Sequence, residues 1–284
     1  MTNPFEIDDN AADVLKDSMK TGEGIELPFP ALYLWSINGN AAHKKSADAQ
    51  YFGGWAGKAE QIADAVEQVE RGLPAGLTAA EIATRDGKDY AAYITRQIIV
   101  APIAYRKRWI SKDGHQTLPD YAPGFRQHVQ CLMALGDIDP ALKKVLFWGP
   151  AVITAKGFQA SYLIATLKEF EKHIESERRK AAPAVPPNCF WRKIGTFGDK
   201  PNVKMVGPDG SQSPITPICV SLPDKLSAEK LAGLYVGKET VAEMVRLYSE
   251  ATEWLAAWKA PQKSAPAAEP EFPADPPLPV DENW

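Results

Sequence analysis

The stretch 90–112 constrains this chain most, because it joins strong strand character to an unbroken positive charge. Positions 93–100 are β-branched and aromatic with rough alternation, and 103–110 repeat the pattern, so two strand segments are expected. Pro102 lies between them and has no N–H to give a ladder, which predicts a bulge or bend there. The whole stretch carries five bases, Arg96, Arg106, Lys107, Arg108 and Lys112, and no acid. Tyr105 and Trp109 flank the densest of them. One reading is an edge strand whose cations discourage further pairing. The other is a surface on which cations and rings work together.

The rest of the chain supplies a sheet for this stretch to join. A first core strand is expected over 27–37, followed by a turn at Asn38-Gly39-Asn40. Tyr51, Phe52 and Trp55 then surround Gly53 and Gly54, and small residues beside rings let a backbone, a base or another ring come close. Ile62, Val66 and Val69 at helical spacing predict a helix over 59–71. Positions 73–88 read as an irregular connection with one short helix from Thr78. Asp113-Gly114 is a turn signal, and 125–135 and 143–148 read as further strands. On the former, Arg126 and His128 share one face. A long helix is expected over 154–180, with Ile164, Leu167, Phe170 and Ile174 on its apolar stripe. A meander over 189–220 and two helices, 227–234 and 240–258, complete the core.

Strands interrupted by one long helix, then strands and a helical end, predict an α+β fold. The spacing fits an OB-like β-barrel elaborated with helices over 25–258, with a mixed open sheet as the alternative. Residues 1–24 form an acidic N-terminal segment. Residues 259–284 hold seven prolines without periodicity and are expected to form a disordered, acidic C-terminal tail.

Charge follows the same division. The formal net charge of −4 conceals a net −5 over residues 1–28, −3 over 259–284 and +4 over the residues between. No apolar run approaches the roughly 18 residues a membrane helix needs, so no membrane partner is expected. The N-terminus has neither the basic nor the apolar region of a signal peptide. Three scattered cysteines, Cys131, Cys189 and Cys219, suit a reducing cytoplasm and predict no zinc site.

Catalytic patterns are missing. There is no GxSxG, HExxH or GxxxxGK[ST], and the four histidines are isolated. Asp137-Ile138-Asp139 reads as a turn because Pro140 follows and no third acid is near. Two-metal nuclease chemistry needs converging carboxylates, which the strands lack. No enzyme, metal or cofactor is therefore expected. What recurs is an aromatic beside a base: Trp109 with Arg106, Lys107 and Arg108; Phe158 with Lys156; Trp191 with Arg192 and Lys193. Cations take phosphates and rings stack on bases, so this pairing predicts a surface for a single nucleic-acid strand. The candidate contacts are Trp35, Tyr51, Phe52, Trp55, Arg96, Tyr105, Arg106, Lys107, Arg108, Trp109, Arg126, His128, Lys156, Trp191, Arg192 and Lys193. Trp254 and Trp258, four apart, should pack on the barrel or form a contact between copies in a homo-oligomer.

The chain closes Pro-Leu-Pro-Val-Asp-Glu-Asn-Trp. This resembles the flexible acidic C-terminal tail of single-stranded DNA-binding proteins, bacterial and phage, whose tip carries acids and a terminal aromatic. Here the acids precede Asn-Trp, where the bacterial tip has Ile-Pro-Phe, and the layout looks more like divergent phage or mobile-element relatives. The resemblance implies sequence-independent binding and protection of single-stranded DNA in replication and recombination. It also implies docking of replication or recombination proteins through Asp281, Glu282 and Trp284. A phage structural or assembly protein with a flexible tether is the alternative from another class.

Overall fold

The structure, a computed structural model, describes residues 26–39, 52–83, 89–111, 116–196, 203–206 and 212–258. Both termini, including Asp281, Glu282 and Trp284, lie outside the described residues, as does Tyr51. The class is α+β. A large open sheet of ten strands carries five α-helices, counted among the described residues.

The sheet is built around a long three-stranded meander. Strand β5 (Gln97–Ile110) pairs antiparallel with β7 (Arg126–Asp139), and β7 with β8 (Lys144–Lys156). Strand β1 (Leu32–Gly39) joins β8 in parallel and β2 (Phe52–Lys58) antiparallel. Next come β4 (Asp89–Thr95) and β3 (Thr78–Ala83). On the other side, β9 (Arg192–Gly195) pairs with the first half of β5, and β12 (Cys219–Val220) with β9. The short β6 (Thr117–Leu118) covers only Trp109 and Ile110 of β5. The path therefore runs β12-β9-β5-β7-β8-β1-β2-β4-β3, and β10 (Val203–Val206) and β11 (Gln212–Ile215) form a separate hairpin.

The expected interruption at Pro102 is a bulge: the register with β7 shifts between Pro102 and Ala104, and the strand continues. The true bend is Arg96, the single residue between β4 and β5. Two glycines permit it. Gly54 (φ +127°) lies so close that a Cβ would meet the Thr95 carbonyl oxygen at 2.3 Å, and one on Gly195 (φ +153°) would meet the Arg96 oxygen at 2.0 Å. The glycine-rich stretch after Phe52 thus admits a backbone rather than a base. Thr196 N–H donates to the Arg96 carbonyl at 3.0 Å and completes the clamp.

The 73–88 region differs from expectation. Thr-Ala-Ala-Glu-Ile-Ala has helix-forming composition, but it forms β3, since every residue from Thr78 to Ala83 finds a partner on β4. Strand β8 also runs beyond the expected Trp148 to Lys156. Helix α1 (Ala59–Gln68) buries Ile62 and Ala65, close to the expected stripe. Helix α2 (Phe158–Ala181) starts after Gly157 and buries Leu163, Leu167, Phe170 and Ile174. Its last turn carries Arg178, Arg179 and Lys180, favourable for the dipole. Helix α3 (Ala228–Leu234) is capped by Ser227, whose hydroxyl accepts the Lys230 N–H. Helix α4 (Lys238–Glu250) and the short α5 (Thr252–Ala256) end the described chain.

Two cores result. One face of the sheet buries Leu34, Trp55, Val100, Val129, Met133 and Ile153 with Ile62 of α1 and Leu163 of α2. The opposite face packs Ala101, Ala134 and Trp191 against Met244 of α4, and Leu132 and Val152 against Trp254 of α5. No helix among the described residues is long and apolar enough to cross a membrane.

Candidate nucleic-acid interface

Strand alternation sorts the basic stretch into two rows, and the two have opposite fates. Tyr105, Lys107 and Trp109 share one face. Tyr105 is 59% exposed, Lys107 is exposed and Trp109 is half-buried. Tyr121, 62% exposed in the connection to β7, stands edge-on to Trp109 with ring centroids 4.9 Å apart at 76°. Tyr105 and Lys107 lie beyond the ladder of β5 with β9, which stops at Val100, and before its pairing with β6, which begins at Trp109. The outcome is an accessible row of ring, cation and ring.

Arg106 and Arg108 form the other row and are buried, 8% and 4% exposed. The Arg106 guanidinium carbon lies 3.7 Å from the Trp254 ring centroid and 4.4 Å from that of Trp258. Its Nε and Nη2 donate to Gln130 Oε1 at 2.9 and 2.6 Å, and Nη1 donates to the Trp254 carbonyl at 2.6 Å. Arg108 lies 4.3 Å from the Trp258 ring. Desolvated guanidinium–indole contacts of this kind are worth about 2 kcal/mol. Register explains the rest of the cluster: Arg106 faces Gln130 and Arg108 faces His128 across the β5–β7 ladder. His128 is 1% exposed, with its ring 4.7 Å from Trp258, and neither ring nitrogen has a hydrogen-bond partner among the described residues. Burial, with Lys156, Arg108 and Arg106 nearby, pushes it from the usual 6.5 down to about 2, so the imidazole is neutral. Arg126 and Lys156, on the same face at the same end, remain exposed.

Several expected contacts are core. Trp55 has no exposed surface and donates its indole N–H to the Ile194 carbonyl at 3.4 Å. Trp191 is 2% exposed and packs with Ala101 and Val236. Arg192, 1% exposed, lies 4.5 Å from the Phe170 ring centroid, donates Nη2 to Pro187 at 2.8 Å and approaches Glu171 at 3.6 Å. No base can reach these three in this structure, because their faces are occupied by protein. Lys193, their neighbour, is exposed. Arg96 is exposed at the bend, Trp35 is half-buried on β1, and Phe52 begins β2. Among the described candidates, Tyr105, Lys107 and Trp109 form one accessible row, and Tyr121 joins them across the connection.

Among the described residues no group of three His, Cys, Asp or Glu could hold a metal. Asp139 closes a turn by accepting the Ala141 and Leu142 N–H groups at 2.8 and 2.9 Å. The three cysteines are free, and burial pushes the Cys131 thiol up to about 12, away from reactivity. No family model, curated protein or solved structure matches the chain.

Proposed function

We propose that this protein binds single-stranded DNA without sequence readout, in replication or recombination, and has no catalytic step. The observation that carries the reading is the accessible row Tyr105, Lys107 and Trp109, with Tyr121 against Trp109. An exposed ring is a sequence-tolerant stacking platform, and the lysine between the rings can neutralise a phosphate. Exposed Arg126 and Lys156 carry positive charge on the opposite face at the same end of the sheet, and Lys193 and Arg96 are exposed on β9 and at the bend.

The fold is proposed to be a distorted OB-type barrel. Strands β4 and β5 count as one strand bent at Arg96, with β4 paired to β2 and β5 to β7. The succession β5-β7-β8-β1-β2-β4 then returns to its start. The Trp55–Ile194 hydrogen bond between β2 and β9 supports such a curl, as does the core that β1, β2, β5, β7 and β8 share with α1, α2 and β9. Helix α2 follows β8, the last of these strands in the chain. A barrel of this kind positions its strand ends and loops for a nucleic-acid strand.

An assembly role is the second reading. Ile138, Leu142 and Leu146 are exposed around the β7–β8 turn, 52%, 59% and 45%, which suits contact with another protein. The variants Tyr105→Ala, Lys107→Ala and Trp109→Ala separate the two in an oligo-dT titration. Each should weaken binding if the row holds DNA. A wild-type protein indifferent to oligo-dT would leave the assembly reading standing.

A further inference from the structure

The Arg106–Arg108 face raises a separate question, because charged and polar groups suited to a nucleic-acid strand are sealed under two indoles. Trp258 lies within 4.4 Å of one guanidinium, 4.3 Å of the other and 4.7 Å of the His128 ring. A nucleobase stacked on arginine would make the same contacts. The seal is polar-deficient. Both His128 nitrogens and the Trp258 indole N–H are buried without hydrogen-bond partners among the described residues, a state that native interiors rarely tolerate. The covering element is slight as well. Helix α5 has five residues, linked to α4 by Ala251 alone, and helices so short have little stability of their own. Exposed Arg126 and Lys156 border the covered patch on β7 and β8.

We propose that residues 252–258 are a displaceable cover over a second contact surface for single-stranded nucleic acid, formed by Arg106, Arg108, His128 and Gln130. Trp258 holds the place a nucleobase takes when the cover leaves. This rests on the single-strand reading above and deepens it. The two surfaces are opposite faces of the same β5–β7 segment, so one strand passing over its edge contacts both. Displacement gives water or ligand to the three unsatisfied nitrogens and offsets part of the lost indole burial.

The test uses the full chain and oligo-dT. Trp258→Ala should bind oligo-dT about tenfold more tightly than wild type, the size of one stacking contact. Adding Arg108→Ala to that variant should remove the gain. Equal or weaker binding by Trp258→Ala, or a gain that survives Arg108→Ala, overturns the cover. If neither wild type nor variant binds oligo-dT, the single-strand reading itself has failed. A second measurement needs no variant: saturating oligo-dT should speed amide hydrogen exchange at Leu255 and Ala257, whose N–H groups donate to Ala251 and Glu253. Unchanged or slower exchange there, with DNA bound, also overturns the cover.

Discussion

His128 gives the structure a defined weakness to acid. Its ring is surrounded by Arg108 and Arg106 of β5, Lys156 of β8 and the Trp258 indole, and no group among the described residues accepts a proton from it. Its folded value of about 2 lies below the unfolded value near 6.5. The unfolded chain therefore binds the proton first, and stability present above pH 6.5 is lost as pH falls below it. Between pH 7.5 and 5.0 only the part below 6.5 counts, and at 1.36 kcal/mol per unit the loss is about 2 kcal/mol. His128→Leu removes the titration at similar volume and removes two unsatisfied nitrogens. Urea unfolding of both proteins at the two pH values is the assay. Wild type should lose about 2 kcal/mol more than His128→Leu over this interval. The depressed carboxyls of Glu175 and Glu243, each held down chiefly by hydrogen bonds from arginine, lose their contribution only at lower pH. Equal losses in the two proteins would refute the buried, uncharged imidazole.

Other outcomes follow from burial and geometry. Trp55→Ala should cost about 3–5 kcal/mol in chemical unfolding, while its folded fraction binds oligo-dT normally. Gly195→Ala should lower the melting temperature sharply, because its Cβ would sit 2.0 Å from the Arg96 oxygen at a left-handed φ. Trp109→Ala should weaken oligo-dT binding by about 1–3 kcal/mol, read by anisotropy, with a much smaller loss of stability. Removing residues 262–284 should leave the melting temperature unchanged and modestly raise DNA affinity at low salt, where screening of the acidic segment is weakest.

What was legible in the sequence was the part fixed by local pattern. Alternation placed strand over most of β5 and β7, Pro102 marked the bulge, and Trp254 and Trp258, four apart, pack against the same arginine. The bend at Arg96 was not legible, since it depends on Gly54 and Gly195, which are distant in sequence and meet only when β2 and β9 approach. β3 was hidden by Ala-rich composition that tertiary pairing overrides. The basic run misled in a more instructive way. Its alternation implied two faces, but nothing local showed that residues nearly 150 positions later would cover one of them. Trp55, Trp191 and Arg192 were misplaced for the same reason: composition cannot tell a ring that stacks on a base from one that fills a core. Tyr121 sat in a Pro-rich loop and was legible only as an aromatic, until its contact with Trp109 placed it beside the row.

Anisotropy titrations of fluorescent oligo-dT and of a matched duplex, repeated from 50 to 200 mM salt, decide whether the protein binds single strands. Single-strand binding through cations and stacked rings requires tighter binding to oligo-dT than to duplex. It also requires log K to fall linearly with log salt, by about 0.7 for each phosphate neutralised. Equal affinity for the two DNA forms, or an affinity that does not change with salt, would contradict it.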